Sequence, residues 1–230
     1  MSIAENDGRR LRGLRSRSKI LEHAILIASA EGLDGLTIGR VATEAGVGKG
    51  NITVLFGDRE KLQLAILDHA MELFRQMVIE PAEQQRDPLA RIRSWIESWF
   101  SFVERRVLPG GCFLNAVSSE YRTRDGVIRD KITEYRTLGR QRLRNWIEEA
   151  KLARKIADDV DVEALVFELM SYQAIANVAA LMGEQELFER ARKASQSIVA
   201  DAAAVAVKPI RRPPLRIRKQ PRRLHRPPSR

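Results

Sequence analysis

Leu36-Thr37-Ile38-Gly39-Arg40-Val41-Ala42-Thr43-Glu44-Ala45-Gly46-Val47-Gly48-Lys49-Gly50-Asn51-Ile52-Thr53-Val54-Leu55-Phe56 reads as two short helices joined by a tight turn. Thr37 is an N-cap residue whose hydroxyl can accept a free first-turn N–H. Ile38, Val41, Ala42 and Ala45 recur at helical spacing and form one apolar stripe. Gly46 supplies the positive φ that ends a helix cheaply. Val47 is the plug between the helices. Gly48-Lys49-Gly50-Asn51 opens the second helix with small residues and one cation, an arrangement that admits a close phosphate. Ile52, Leu55 and Phe56 face the core, which leaves Lys49, Asn51, Thr53 and Val54 outward. Asn pairs with adenine, Thr or Val meets a thymine methyl, and Lys reaches guanine or phosphate. Taken alone, the turn is also compatible with an ordinary helix-helix corner.

Working outward, Arg9, Arg10, Arg12, Arg15, Arg17 and Lys19 precede the first helical acid, Glu22. Residues 1–16 are expected to be a flexible basic arm, which can lie in a minor groove or along phosphates. A helix follows over Arg17–Glu31, with Ile20, Leu21, Ala24, Ile27 and Ala28 inward. Asp58 caps the next helix, expected over Arg59–Ile79 and ended by Pro81. Asp87-Pro88 opens another, which carries Trp95, Trp99, Phe100 and Phe102. Pro109-Gly110-Gly111 is a loop, and Cys112–Tyr121 a short apolar helix. A long amphipathic helix runs from about Asp125 to Ala153, with Ile128, Tyr135, Leu138, Leu143 and Trp146 inward. Val162–Met182 is apolar on most sides, so it must be buried on most sides, and a symmetric dimer interface is a natural place for it. Glu184–Val207 is the last helix. The fold class is all-α: a helix-turn-helix domain over 17–58, then a larger helical domain over 59–207.

Residues 17–74 resemble the DNA-binding domain of the TetR family of bacterial transcriptional regulators. The resemblance rests on Lys19-Ile20-Leu21, Ala24 and Ala28, Glu31-Gly32, Leu36-Thr37-Ile38, Val41-Ala42, Ala45-Gly46-Val47, Gly50, Phe56 and Arg59-Glu60-Lys61-Leu62. The family's usual tyrosine near the end of the recognition helix is replaced by Thr53, and Asp58-Arg59-Glu60 replaces its usual Ser-Lys-Glu. More loosely, Pro109-Gly110-Gly111-Cys112-Phe113-Leu114 and the helices after it resemble a subgroup of the family's effector domains. The resemblance implies a homodimer that binds double-stranded DNA at an inverted repeat and, as a repressor, is released by a small-molecule effector. Lys49, Asn51, Thr53 and Val54 would then read bases over the glycine backbone of Gly48 and Gly50, with Thr37, Arg40 and Arg59 on phosphates.

Aromatic residues concentrate mid-chain. Trp95, Trp99, Phe113, Asn115, Tyr121, Trp146 and Tyr172 are the expected ligand-binding set, and the scarcity of charge in those helices points to an apolar or amphipathic ligand. Gln173 and Asn177 are further polar groups within reach.

Composition narrows the function. Lys and Arg total 40 against 30 Asp and Glu, but ten of those cations follow Asp201, the last acid. Residues 1–207 are therefore formally neutral. The Pro- and Arg-rich stretch 208–230 is expected to be disordered or polyproline-like and to add sequence-independent nucleic-acid affinity. Cys112 is the single cysteine, so no intramolecular disulfide forms, and a reducing cytoplasmic setting is expected. No signal peptide or membrane-length apolar run is apparent. His23, His69 and His225 lack ligand spacing, and no catalytic motif appears, so no enzyme, cofactor or metal is expected. Two other readings stay open: a helical protein-interaction module, and a sequence-tolerant nucleoid-type DNA binder driven by the arm and tail.

Overall fold

The chain folds as α1 (Ile3–Glu31), α2 (Ile38–Glu44), α3 (Lys49–Phe56), α4 (Arg59–Phe74), α5 (Pro88–Glu104), α6 (Phe113–Glu120), α7 (Val127–Leu152), α8 (Val162–Met182) and α9 (Gln185–Val207). This is a computed structural model describing residues 3–207, with side chains over 13–203. No strand occurs among the described residues. The proposed tail at 208–230 lies outside them.

The helix starts follow from local chemistry. Thr37, Asp58, Asp87 and Asp161 each accept a first-turn N–H at α2, α4, α5 and α8. Gly46 ends α2 at φ 65°, as its position in the turn requires. Two boundaries differ from the sequence reading. Residues 3–16 are helical and continue into α1, where a flexible arm was expected. That stretch contains no proline, and its four Arg and two Leu are good helix formers, with Gly8 and Gly13 the weakest residues in it. Pro81 does not end its helix. The chain passes from α4 through a π-helical turn, Arg75–Ile79, into a further helical turn, Glu80–Glu83. A proline ring clashes with the carbonyl four residues back, and a π turn shifts that register so the proline is accommodated.

Two bodies share one core. Ile20, Ala24, Leu33, Leu36, Val41, Ile52, Leu62 and Ile66 close the first. Ile96, Trp99, Phe100, Val117, Ile147, Leu169 and Phe188 close the second, with Phe100 edge-on to both Trp99 and Phe188. Leu138, expected inward, is 51% exposed. α8 is, by length and composition alone, long and apolar enough to cross a membrane, although no such run was expected. It packs against α9, α7 and α5 and carries buried Gln173 and Asn177. These are contacts of a helix inside a folded domain.

Candidate functional site

The turn presents one face of α3. Ile52 and Phe56 are buried beneath it, and Leu55 is half-buried. Gly48 is the N-cap, and Lys49, Gly50, Asn51, Thr53 and Val54 are exposed, Val54 at 85%. The Thr53 hydroxyl donates back to the Lys49 carbonyl at 3.3 Å, so this short side chain lies along its own helix. A Cβ on Gly50 would touch nothing within 4 Å, and one on Gly39 would lie 3.1 Å from the Lys49 side chain. Lys49 therefore leans across α2. Arg17, from α1, braces the far end of α3: it donates to the Leu55 carbonyl at 3.0 Å and stacks 4.4 Å over the Phe56 ring.

The side chains expected on phosphates are less available. Thr37 is exposed, but its hydroxyl caps α2 by accepting the Arg40 N–H at 3.1 Å. Arg40 pairs with Glu31 at 2.9 Å and with Glu44. Arg59 donates through Nε to the Leu36 carbonyl at 2.9 Å, donates also to the Asp34 carbonyl, and sits 3.6 Å from the Asp34 carboxylate. It thus clamps the loop before α2 while its side chain stays half-exposed, where the sequence reading put it on a phosphate.

A polar seam joins this head to the larger body. The Glu120 carboxylate, at the end of α6, accepts the backbone N–H of Leu33 at 3.0 Å and of Asp34 at 2.5 Å. Arg124 pairs with Asp34 at 2.5 Å, and this contact holds the Asp34 carboxyl below its usual range. The buried Gln63 amide donates to the Leu33 carbonyl at 2.7 Å. Gly110 donates to the Ser29 hydroxyl at 2.8 Å, and a Cβ on Gly110 would lie 2.0 Å from the Ser29 carbonyl oxygen. Next to it, Gly111 has φ 72°, and Cys112 donates to Asn177 of α8 at 2.7 Å. Sequence reasoning missed Glu120 and Asp34 because their partners are 86 and 87 residues apart in the chain, with no local pattern to mark them. Cys112 is buried, and burial pushes its thiol above the ordinary range, as suits a small apolar residue.

Beneath the seam, α4, α5, α6, α7 and α8 enclose a cavity of about 280 Å³. Of the seven residues expected to bind a ligand, Trp95, Trp99, Asn115 and Trp146 line it. Tyr121 lies instead on a neighbouring groove. Phe113 and Tyr172 line neither; Phe113 is packed in the core at 2% exposure and Tyr172 is half-buried. Met71, Phe74, Ile79, Leu143 and Met170 add apolar wall, and Gln173 adds an amide. Gly139, mid-way along α7, also lines it, and a Cβ there would meet open space. A glycine costs a helix interior about 1 kcal/mol, and that was the available sequence signal for this wall. Charge at the rim is balanced. Glu72, held down to about 2 chiefly by its hydrogen bond from Arg75, pairs with Arg75, while Arg142 faces Glu83 and Asp68 accepts the Tyr135 hydroxyl.

With this geometry in place, the likeness to known proteins is specific. Residues 88–195 match the family of tetracyclin repressor-like C-terminal domains. Those residues are a tetracyclin repressor-like C-terminal domain. The fold of the whole chain is similar to that of a TetR transcriptional regulator from Chloroflexus aurantiacus J-10-FL (21% identity, 82% of this chain and 96% of that one, TM-score 0.76). A regulator from Cytophaga hutchinsonii is similar at 17% identity, with 84% and 96% covered and TM-score 0.75. AibR, solved in complex with isovaleryl coenzyme A and operator DNA, is similar at 17% identity, with 82% and 98% covered and TM-score 0.60. No curated protein matches the chain in sequence.

Proposed function

We propose that this protein is a homodimeric, sequence-specific DNA-binding transcriptional repressor of the TetR family, released from an inverted-repeat operator by a small apolar or amphipathic ligand in the α4–α8 cavity. The observation that carries the reading is the outward face of α3. Lys49, Asn51 and Val54 are exposed on a helix whose back is locked by Ile52 and Phe56 and whose end is braced by Arg17. A rigid helix with unburied donors and an apolar contact is what base readout in a major groove requires.

The pairing of two heads is supported by α8. Phe167, Ser171, Ala174, Ile175, Val178 and Met182 recur at helical spacing on its outer side, with Phe167 72% and Met182 71% exposed. An apolar stripe of this length is suited to a second copy of itself. The cavity and the head communicate through the Gly110–Cys112 loop, which touches α1 at Ser29 and α8 at Asn177. A ligand that favours one setting of that loop shifts DNA affinity by no more than its differential affinity for the two settings.

The test is selection of bound genomic fragments with the natural protein and with a Lys49→Ala, Asn51→Ala double variant. The reading expects an enriched inverted repeat that the variant loses, while sedimentation still reports a dimer. Uniform recovery of all fragments, or enrichment unaffected by the double change, would refute it.

A further inference from the structure

Two stripes run along α7 on different sides. Tyr135, Leu138, Gly139, Arg142, Leu143 and Trp146 line the apolar cavity. Arg129, Ile132, Thr133 and Arg136 line a separate open groove of about 670 Å³, closed on its other sides by α6 and α8. Arg122 is on the groove wall too, and no carboxylate is. Among the described residues, neither Arg122 nor Arg136 forms an ion pair. Arg122 donates to the Ser119 carbonyl at 2.6 Å and Arg136 to the Ser118 hydroxyl at 3.1 Å, so each guanidinium keeps donors to spare. Arg129 has one partner, the exposed Asp125. The rim of the apolar cavity is the reverse, since its arginines all face carboxylates.

The two compartments share one residue, Asn115 of α6. On the cavity side, Gln173 and Asn115 are the neutral polar residues of a wall otherwise apolar, aromatic or charge-paired, and neither side-chain amide has a hydrogen bond among the described residues. Amides open to the cavity keep donors and acceptors for a ligand polar atom at that depth.

Resting on the effector reading above, we propose that the groove is an anion subsite. Arg122 and Arg136 there bind the oxyanion of an amphipathic effector, whose apolar part passes Asn115 into the tryptophan-lined cavity. Guanidinium groups with free, planar donors suit phosphate and carboxylate alike. The apolar part supplies burial and the head supplies charge, so neither alone binds well. Ala174 and Val178, which belong to the α8 face offered to a second copy, border the groove together with Leu181, so an anion seated there lies where dimer geometry is set.

Tryptophan fluorescence and calorimetry on the full chain test this with 1-octanol, octanoate and octanoyl coenzyme A. At low salt at least one anionic probe should bind about tenfold more tightly than octanol, and salt should erase the difference. Which anion wins separates a carboxylate head from a phosphate-bearing one. Arg122→Gln with Arg136→Gln should reduce the winner to the affinity of octanol. Gly139→Leu, which fills the cavity from open space, should weaken octanol and the winner together. The salt titration of the unaltered protein stands even if a variant misfolds. If octanol binds as tightly as both anions and the paired glutamines change nothing, the anion subsite is refuted and the cavity survives. If no probe moves the fluorescence, the effector reading falls, and this subsite with it.

Discussion

The outer face of α3 and the seam that joins its head to the larger body are both polar, yet their side chains are used in opposite ways. Around the seam, charge is satisfied: Glu120 accepts two backbone N–H groups, Asp34 faces Arg59 and Arg124, and Arg40 holds two glutamates. On α3, Lys49, Asn51 and Val54 are exposed, and neither Lys49 nor Asn51 forms an ion pair or side-chain hydrogen bond among the described residues. Exposure alone does not separate the two groups, since Arg40 and Arg59 are also exposed. Engagement does. A cation already holding two carboxylates gives up those contacts to reach a phosphate, whereas a free one gives up only water.

The largest effect should come from the seam. Gly110→Ala places a methyl 2.0 Å from the Ser29 carbonyl oxygen, a backbone atom that no rotamer change can move. We expect a loss of about 3 kcal/mol or more, read as a fall in melting temperature or as insoluble protein. A melting temperature equal to that of the unaltered protein would show that the head is not seated on this loop. On the α3 side, the Lys49→Ala, Asn51→Ala change should remove roughly 2–4 kcal/mol of operator affinity, at about 1–3 kcal/mol per good base contact. Its melting temperature should stay within the scatter of surface substitutions. If stability falls and discrimination between DNA sequences does not, the contrast between face and seam is wrong.

Next in size is Glu120→Gln. It keeps the shape of the side chain but gives one of the two loop N–H groups an amide donor in place of an acceptor. A cost of about 1–2 kcal/mol is expected in chemical denaturation, with the operator preference unchanged. Arg59→Ala is smaller, about 1 kcal/mol, because this arginine is half-exposed and solvent replaces part of what it loses. Here the comparison becomes sharper. If Arg59 is a clamp, the variant weakens all DNA sequences equally and only through stability. If binding at matched stability loses salt dependence, Arg59 reaches a phosphate in the complex after all.

Much of the head was legible because its signals are local. The caps at Thr37 and Asp58, the αL glycine at Gly46 and the buried spacing of Val41, Ala42 and Ile52 are set by neighbours within one helical turn. The tryptophans at the cavity followed from aromatic density, but Phe113 and Tyr172 did not, since helical spacing gives a face only to within a residue or two and says nothing of what lies opposite. The roles of Glu120, Asp34 and Arg59 depend on partners from distant helices, so no window of sequence contains them. The π turn at Arg75–Ile79 was hidden for another reason. Proline at 81 reads as a stop, and only the fold shows that a register shift a few residues earlier accommodates it.

The smallest effect tests the packing of α1 against α4 by pH. His69 on α4 is half-buried, and burial lowers its pKa below the usual 6.5, with Glu22 of α1 and Glu72 opposing. Above pH 6.5 the imidazole is neutral in both folded and unfolded chains, and it contributes no pH dependence. As pH falls through 6.5 the unfolded chain takes up a proton that the folded chain resists, so stability declines until the lower folded pKa is passed. The denaturant midpoint should therefore drop modestly between pH 7.5 and 5.5, and His69→Gln should flatten that slope without changing the slope below pH 4, where carboxylates such as Asp34 take over. Identical slopes for the two proteins would mean that solvent reaches the imidazole, and that the packing between α1 and α4 is looser than the charged contacts beside it.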